Sequence, residues 1–399
     1  MTRARGGRSV VGMLVGLLLA GCTSTVTGTA SPADPAPTTA PTESGAPTEP
    51  PADVTPPPPR GVGTVLESHR IAGATALIPP LFADRTDTCY PSGPFTGAAD
   101  VEFGYFPEGT AAHVLDRWGF VAGWGQCGQT PDGGQVTLAL AVELSDPDSA
   151  VRAAEELAAE QAVNGFEPAE VPGVDAPALL LADGGLDAVQ VFVPVGRMLA
   201  YGYHEAPAGE GIEGAGRLMA EQVRLLQAFT PTPQAEVPAL PADPLGLAPV
   251  TLDPPGAFDD WSGPYDLEGY LRLAIDPGRE RELLSANGFR GFYTKQSQEG
   301  DQYFAVALYA FPSVTETNRV YEAFAELEAA AFGGTAFELP AIPEAPCFWF
   351  DAGDGTFYQR CYVGFRTYLA SVDVGGLAAP NDVSRMNELL PAQRDLIDG

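Results

Sequence analysis

Gln135-Val136-Thr137-Leu138-Ala139-Leu140-Ala141-Val142-Glu143-Leu144 alternates along its length, with Val136, Leu138, Leu140, Val142 and Leu144 on one face. A period of two marks a strand with one buried side. Ser145-Asp146-Pro147-Asp148 follows. Ser145 and Asp148 stand three apart around a proline suited to a first helical turn. Val151, Ala154, Leu157 and Ala158 then recur at helical spacing. The same order returns downstream: Gln302-Tyr303-Phe304-Ala305-Val306-Ala307, the capping box Ser313-Val314-Thr315-Glu316, then Val320, Phe324 and Leu327.

Other segments echo one another in the same order. Gly119-Phe120-Val121-Ala122-Gly123-Trp124 matches Gly288-Phe289-Arg290-Gly291-Phe292-Tyr293, and Val174-Asp175-Ala176-Pro177 matches Pro343-Glu344-Ala345-Pro346. Gly196-Arg197 stands against Phe365-Arg366, and Gln222 with Leu225-Leu226 against Gln393 with Leu396-Ile397. The offset stays between 167 and 171 residues, which identifies an internal duplication. In each copy a short helix precedes the Gly-Phe strand; in the second it runs from Arg279 to Ala286, with Asn287-Gly288 as its stop. Later strands turn at Asp183-Gly184-Gly185 and Gly353-Asp354-Gly355, and helices near 216–229 and 382–397 close the copies. The order α-β-β-α-β-β-β-α predicts an α+β fold: two tandem related domains, each an antiparallel sheet backed by helices.

The N-terminus predicts export. Arg3, Arg5 and Arg8 precede the 11-residue apolar run Val10 to Ala20, which is too short for a bilayer span of about 20 residues. Leu19-Ala20-Gly21-Cys22 then reads as a lipobox. Residues 1–21 are a signal peptide and Cys22 the acylated N-terminus, its acyl chains contributing about 0.8 kcal/mol per buried methylene. Residues 22–60 carry that cysteine and a Pro/Thr-rich tether without apolar periodicity. The N-terminal domain spans 61–230, a proline-rich connector 231–262, and the C-terminal domain 263–399. Leu240, Leu245, Leu247 and Leu252 suit the connector to a packed strap; its prolines equally suit a hinge.

The net charge is −31, and −34 once Arg3, Arg5 and Arg8 are removed with the leader; Lys295 is the single lysine. Nucleic acid needs clustered Lys and Arg, so it is excluded as a partner. Besides Cys22 there are Cys89, Cys127, Cys347 and Cys361. In an oxidising compartment these pair, and their distribution favours Cys89–Cys127 and Cys347–Cys361. A metal site is not expected, since none of His69, His113 and His204 lies near a cysteine at ligand spacing.

Gly209-Glu210-Gly211-Ile212-Glu213-Gly214 has the spacing of a dinucleotide loop, but its glutamates repel pyrophosphate and the element order is not βαβ. Asp183 with Asp187, and Asp351 with Asp354, fit hairpin turns better than a calcium loop. Asp259-Asp260 reads as a solvated linker turn, and His204-Glu205 as a surface pair. No catalytic residue, metal ligand or cofactor is assigned. Rings crowd the second copy's strands, among them Phe292, Tyr303, Phe304, Tyr309, Phe348, Trp349, Phe350, Tyr358 and Tyr362. Adjacent rings point to opposite faces. One face is core under the helices; the other meets the first domain, a ligand or a partner.

Phe229-Thr230-Pro231-Thr232-Pro233, Leu240-Pro241-Ala242-Asp243-Pro244-Leu245-Gly246-Leu247 and Glu67-Ser68-His69-Arg70-Ile71-Ala72 resemble the signatures of a family of actinobacterial lipoproteins with paired domains of unknown function. The resemblance implies a two-domain envelope lipoprotein and carries no activity or catalytic residue. The expectation is a protein held by its lipid on the extracytoplasmic face of the cell membrane. It binds or scaffolds there, with an apolar ligand or envelope protein at the domain interface. The alternative is an exported hydrolase that uses carboxylates, for which buried acids with raised pKa values in a cleft would speak.

Overall fold

The computed structural model describes residues 61–352 and 355–399. The leader, Cys22, the tether and the turn residues Gly353 and Asp354 lie outside the described residues. The first copy runs α1 (Val62–Ala72), β1 (Asp87–Thr88), β2 (Gly93–Phe95), α2 (Ala98–Tyr105), α3 (Ala112–Arg117), β3 (Ala122–Gln129), β4 (Val136–Glu143), α4 (Pro147–Val163), β5 (Glu167–Pro168), β6 (Ala178–Asp183), β7 (Leu186–Val195), β8 (Met198–Pro207) and α5 (Gly211–Ala228). The second runs β9 (Ala257–Phe258), β10 (Gly263–Tyr265), α6 (Leu267–Tyr270), α7 (Pro277–Ala286), β11 (Gly291–Glu299), β12 (Gln302–Ala310), α8 (Val314–Phe332), β13 (Thr335–Phe337), β14 (Cys347–Asp351), β15 (Phe357–Phe365), β16 (Tyr368–Leu377) and α9 (Ser384–Asp398).

The sheets repeat one topology: β1-β3-β4-β8-β7-β6-β5 with β2 beside β3, and β10-β11-β12-β16-β15-β14-β13 with β9 beside β11. All pairs are antiparallel. The α+β duplication read from the sequence is therefore the fold. The elements from α3 and α7 onward follow the predicted order, with β5 and β13 added as short strands at the far edge. α1, β1, β2 and α2 carry too little periodicity to be read.

Two local readings shift. The cap of α4 is Asp146, whose side chain accepts from Ser149 N at 2.9 Å, while Ser145 is drawn sideways onto Asp146 and Ser149. The buried stripe of α4 is accordingly Ala150, Ala153, Ala154, Leu157 and Ala158, and Val151 is 43% exposed. Ser313 caps α8 from Thr315 N at 3.2 Å and bonds the Glu316 carboxylate.

Each sheet is covered on both faces. In the first copy Leu138, Leu140 and Val142 pack under α2, α3 and α4, and Ala141 packs under α1 and α5. In the second, Phe304, Val306 and Leu308 pack under α9. Ala307 and Tyr309, on the opposite face, lie under α6, α7 and α8. The second copy's other ring-bearing face thus has a helical layer of its own. At roughly 25 cal/mol per Å² of apolar area, each such Leu or Phe contributes about 1.5–3 kcal/mol.

The connector is packed rather than hinged. Val237 is fully buried beside α1 and Leu247 enters the second core. Lys295 on β11 donates to Ala248 O (3.0 Å) and Thr251 O (2.5 Å) and pairs with Asp253 (2.5 Å). In the first copy Gln222 of α5 brackets the segment after α1, accepting from Ala76 N (2.8 Å) and donating to Ala74 O (2.9 Å). Gln393 of α9 makes the same pair with Leu252 N (2.7 Å) and Val250 O (2.9 Å). Thr75 and Thr251 each return a hydroxyl to the carbonyl four residues earlier, Ile71 and Leu247. The duplication therefore begins inside residues 231–262, where Leu247–Leu252 stands for Ile71–Ala76.

Candidate functional site

The internal repeat supplies its own reference. Under α2–α4 the first-copy sheet is filled: Leu138, Leu140 and Tyr201 are at most 8% exposed, and Tyr105 of α2 packs edge-on to Tyr201. Leu140 pairs with Tyr201 across β4 and β8; at the equivalent place across β12 and β16, Ala307 pairs with Ser371. Leu138 is likewise replaced by Ala305, beside Asp373. Three large side chains have become three small ones. What remains is a cavity of about 110 Å³ between β11, β12, β15 and β16 and the α6–α8 layer.

The walls combine rings with buried charge. Phe350 stacks on Tyr358 (5.1 Å) and on Phe332 (4.4 Å), and Phe292 meets Tyr309 edge-on at 4.8 Å. Arg360 of β15 is the central cation. It forks onto Asp373 of β16, with Nη2–Oδ2 at 3.2 Å, and its Nη1 lies 2.5 Å from Glu328 Oε2 on α8. Tyr362 also donates to Glu328, and the guanidinium sits 5.5 Å over the Phe332 ring. Burial opposes the charge on Arg360, but Asp373 and Glu328 outweigh it and hold its pKa well above the ordinary value. Thr294 and Ser371 are 1% and 3% exposed and line the cavity. Their hydroxyls take part in no hydrogen bond among the described residues.

Behind this wall Glu280 of α7 accepts from Ile275 N and Asp276 N, both at 3.0 Å, and from the Tyr270 hydroxyl. Burial, then the charge of Glu328, push its carboxyl up to about 8. Burial thus favours its neutral form, and its bonds to Ile275 N and Asp276 N fix the α6–α7 turn that roofs the cavity.

The first copy closes one side through Thr88 and Ser92. These flank Cys89, which forms a disulfide with Cys127 of β3. Ser92 accepts from Cys127 N (2.9 Å) and donates to Cys89 O (3.2 Å), so this staple sets the rim. The second disulfide, Cys347–Cys361, joins facing residues of β14 and β15. Cys22 lies outside the described residues.

The other residues weighed from the sequence do not meet at this site. His204 is not at the surface: it is 3% exposed, bonds Thr137 Oγ1 through Nδ1 (2.9 Å) and stacks on Phe82 at 4.5 Å. Burial, then Arg85 and Arg217, lower its pKa to about 4. Glu205 instead accepts from Val136 N (2.7 Å) and from Tyr203 (2.5 Å). Gly214 of the glycine-rich loop lies against His204, where a Cβ would overlap the imidazole, so that glycine serves helix packing. Asp187 holds the same loop by accepting from Gly209 N at 2.7 Å. His113 is 46% exposed on its side chain.

His69 sits in the seam between the copies. It stacks on Tyr265 at 4.1 Å, and its Nε2 is 2.8 Å from Asp260 O. Burial lowers its pKa to about 4. Asp260 also accepts from Thr96 (2.7 Å), and Arg272 Nε donates to Thr75 O (2.8 Å) across the seam. The Asp259-Asp260 turn thus bridges the copies.

Two of the signature segments of the resemblance, 67–72 and 229–233, clasp each other. Glu67 is fully buried and accepts from Thr232 N (2.9 Å) and Thr232 Oγ1 (2.6 Å), while Arg70 donates to Thr230 O (3.0 Å). Glu143 lies beside them, 2.7 Å from Arg197; burial, then Glu67, push it up to about 8. These segments seat the connector on α1 and do not reach the cavity.

Among the described residues no group of three or more His, Cys, Asp or Glu side chains is arranged to hold a metal ion. Arg360, Asp373 and Glu328 were missed from sequence. Their signal was the swap of Leu138 and Leu140 for Ala305 and Ala307 at the repeat offset.

No curated protein matches the chain. The extracellular domain of PknH from Mycobacterium tuberculosis, seen in a crystal structure, is similar over 29% of this chain and 67% of that one, with 10% identity and a TM-score of 0.21. Residues 54–242, which include α1, the first sheet and the Glu67–Thr232 clasp, match the family model described as "Domain of unknown function (DUF7373) N-terminal". The first copy is therefore similar to an uncharacterised domain family.

Proposed function

We propose that this chain is a membrane-anchored extracytoplasmic lipoprotein whose second domain binds a small ligand in the cell envelope. The supporting observation is the cavity of about 110 Å³ at the place where the sister copy carries the buried Leu138, Leu140 and Tyr201. Leu-to-Ala truncation of a packed core costs about 2–5 kcal/mol when the space stays empty. A ligand that enters the space offsets that loss. The location rests on Leu19-Ala20-Gly21-Cys22 behind a basic, then apolar, leader, and on two disulfides, which suit an oxidising compartment. Purification from membranes in native form, followed by mass spectrometry of co-purifying molecules, tests the reading. Wild type should carry a small molecule that Ala305→Leu/Ala307→Leu lacks; equal content in both would refute the site. Cys22→Ser should release the protein from the membrane fraction.

The hydrolase reading has one observation in its favour: Glu280 is a buried acid held near 8, close to Glu328. Both carboxyls are already engaged, however. Glu280 holds two backbone amides and Tyr270; Glu328 holds Arg360 and Tyr362. Turnover of an ester or glycoside that Glu280→Gln abolishes would reverse the preference.

A further inference from the structure

We infer that the cavity takes a small organic cation, an alkyl- or quaternary ammonium group. This rests on the binding reading above and adds the class of ligand. Two carboxylates, Glu328 and Asp373, share one guanidinium, Arg360, which leaves this group of three one negative charge in surplus, while Arg272 at the far wall is paired with Glu268. A buried surplus charge is expensive without a partner. Rings form much of the remaining wall, among them Trp261, Tyr270, Phe292, Tyr309, Phe350 and Tyr358, beside hydroxyl, amide and aliphatic side chains; ring quadrupoles attract cations. Arg360 over Phe332 shows that these walls already hold one.

An anion would meet two carboxylates and the negative faces of rings. The two guanidiniums on the wall already have partners: Arg360 bonds Asp373 and Glu328 through Nε, Nη1 and Nη2, and Arg272 bonds Thr75 O, Glu268 O and the Glu268 carboxylate. A neutral apolar ligand would leave the surplus charge uncompensated. At about 110 Å³ the cavity is smaller than the ~150 Å³ that holds a benzene ring, which limits the occupant to one compact head group. The half-buried Trp261, Tyr303 and Phe332 form the part of the wall nearest solvent, where a substituent on that head would leave. The acidity of the whole chain raises the local concentration of such ligands.

The test uses the full mature chain in detergent, titrated by calorimetry and by tryptophan fluorescence. The probes are choline, its uncharged isostere 3,3-dimethyl-1-butanol, and acetate. Choline should bind at least about tenfold more tightly than the isostere, the ratio expected for roughly 1.4 kcal/mol of cation–π and charge attraction. Acetate should not bind. Glu328→Gln should remove most of choline's advantage. If that variant fails to fold, Ala307→Leu carries the test: it installs the sister copy's residue, should melt cooperatively, and should lose choline binding. Isostere binding within threefold of choline, or preference for acetate, overturns the cation assignment and leaves a binding cavity in place. If none of the three binds, the assignment also fails, while the co-purification experiment decides the cavity separately.

Discussion

Glu280→Gln should change the pH dependence of stability in a defined direction. The Glu280 carboxyl rises from 4.5 to about 8 on folding, chiefly through burial, with Glu328 adding to it. Above pH 4.5 the unfolded chain releases this proton and the folded chain keeps it. The stabilisation is therefore complete below pH 4.5 and is lost as pH climbs toward 8, at about 1.4 kcal/mol per pH unit for one proton. Over the whole interval the loss approaches roughly 5 kcal/mol. Glutamine keeps the carbonyl that accepts from Ile275 N and Asp276 N and has no proton to lose. Titrating groups that do not interact with Glu280 are common to both proteins and cancel in the difference; Glu328, which does interact, adds a smaller change of its own. Urea unfolding at pH 5, 6, 7 and 8, followed by fluorescence, should show the variant gaining on wild type by about 1.4 kcal/mol per unit. Parallel curves for the two proteins would refute the claim that Glu280 is folded in its neutral form.

Ala307→Leu should stabilise the ligand-free protein by up to about 2–3 kcal/mol, from about 110 Å³ at roughly 24 cal/mol per Å³; denaturant midpoints measure it, and a loss would show that the space is not free at that residue. Gln222→Ala and Gln393→Ala each leave a buried backbone N–H and C=O unpaired, at about 1–3 kcal/mol per group; amide exchange should quicken at Ala76 in the first variant and at Leu252 in the second. His69 has its pKa lowered to about 4, so the unfolded chain alone takes its proton as pH falls from 6.5. This withdraws roughly 3 kcal/mol by pH 4, and His69→Phe, which keeps a ring on Tyr265, should lose stability less steeply over that range in the same unfolding assay.

Periodicity carried most of the fold. Val136 to Leu144 turns its large aliphatic side chains to α2–α4 and its small or polar ones to the opposite, α1 and α5 face, so its alternation is plain, and the same strand recurs at 302–310. Elements fixed by tertiary contacts were invisible. α6 has four residues, and β1, β9 and β5 have two each; pairing with β3, β11 and β6 respectively, not local pattern, makes those strands. His204 was misread because its burial depends on Phe82 and on Gly214 of a helix ten residues later, neither of which marks its own strand. The site was half legible. The rings of the second copy were conspicuous, but Arg360, Asp373 and Glu328 come from β15, β16 and α8, and only the register brings them together. The cavity itself is written as small residues, and an alanine in a strand reads as nothing unless the sister strand is laid beside it.

The pair of glutamine brackets also orders assembly in time. As the polypeptide is made, α5 emerges with Gln222 and the first sheet has all it needs to close. The connector emerges next and is caught by Glu67 at Thr232. Its downstream part, from Leu247 to Leu252, has no clasp until Gln393 arrives on α9. The second module thus matures last, against a finished neighbour that serves as its template surface.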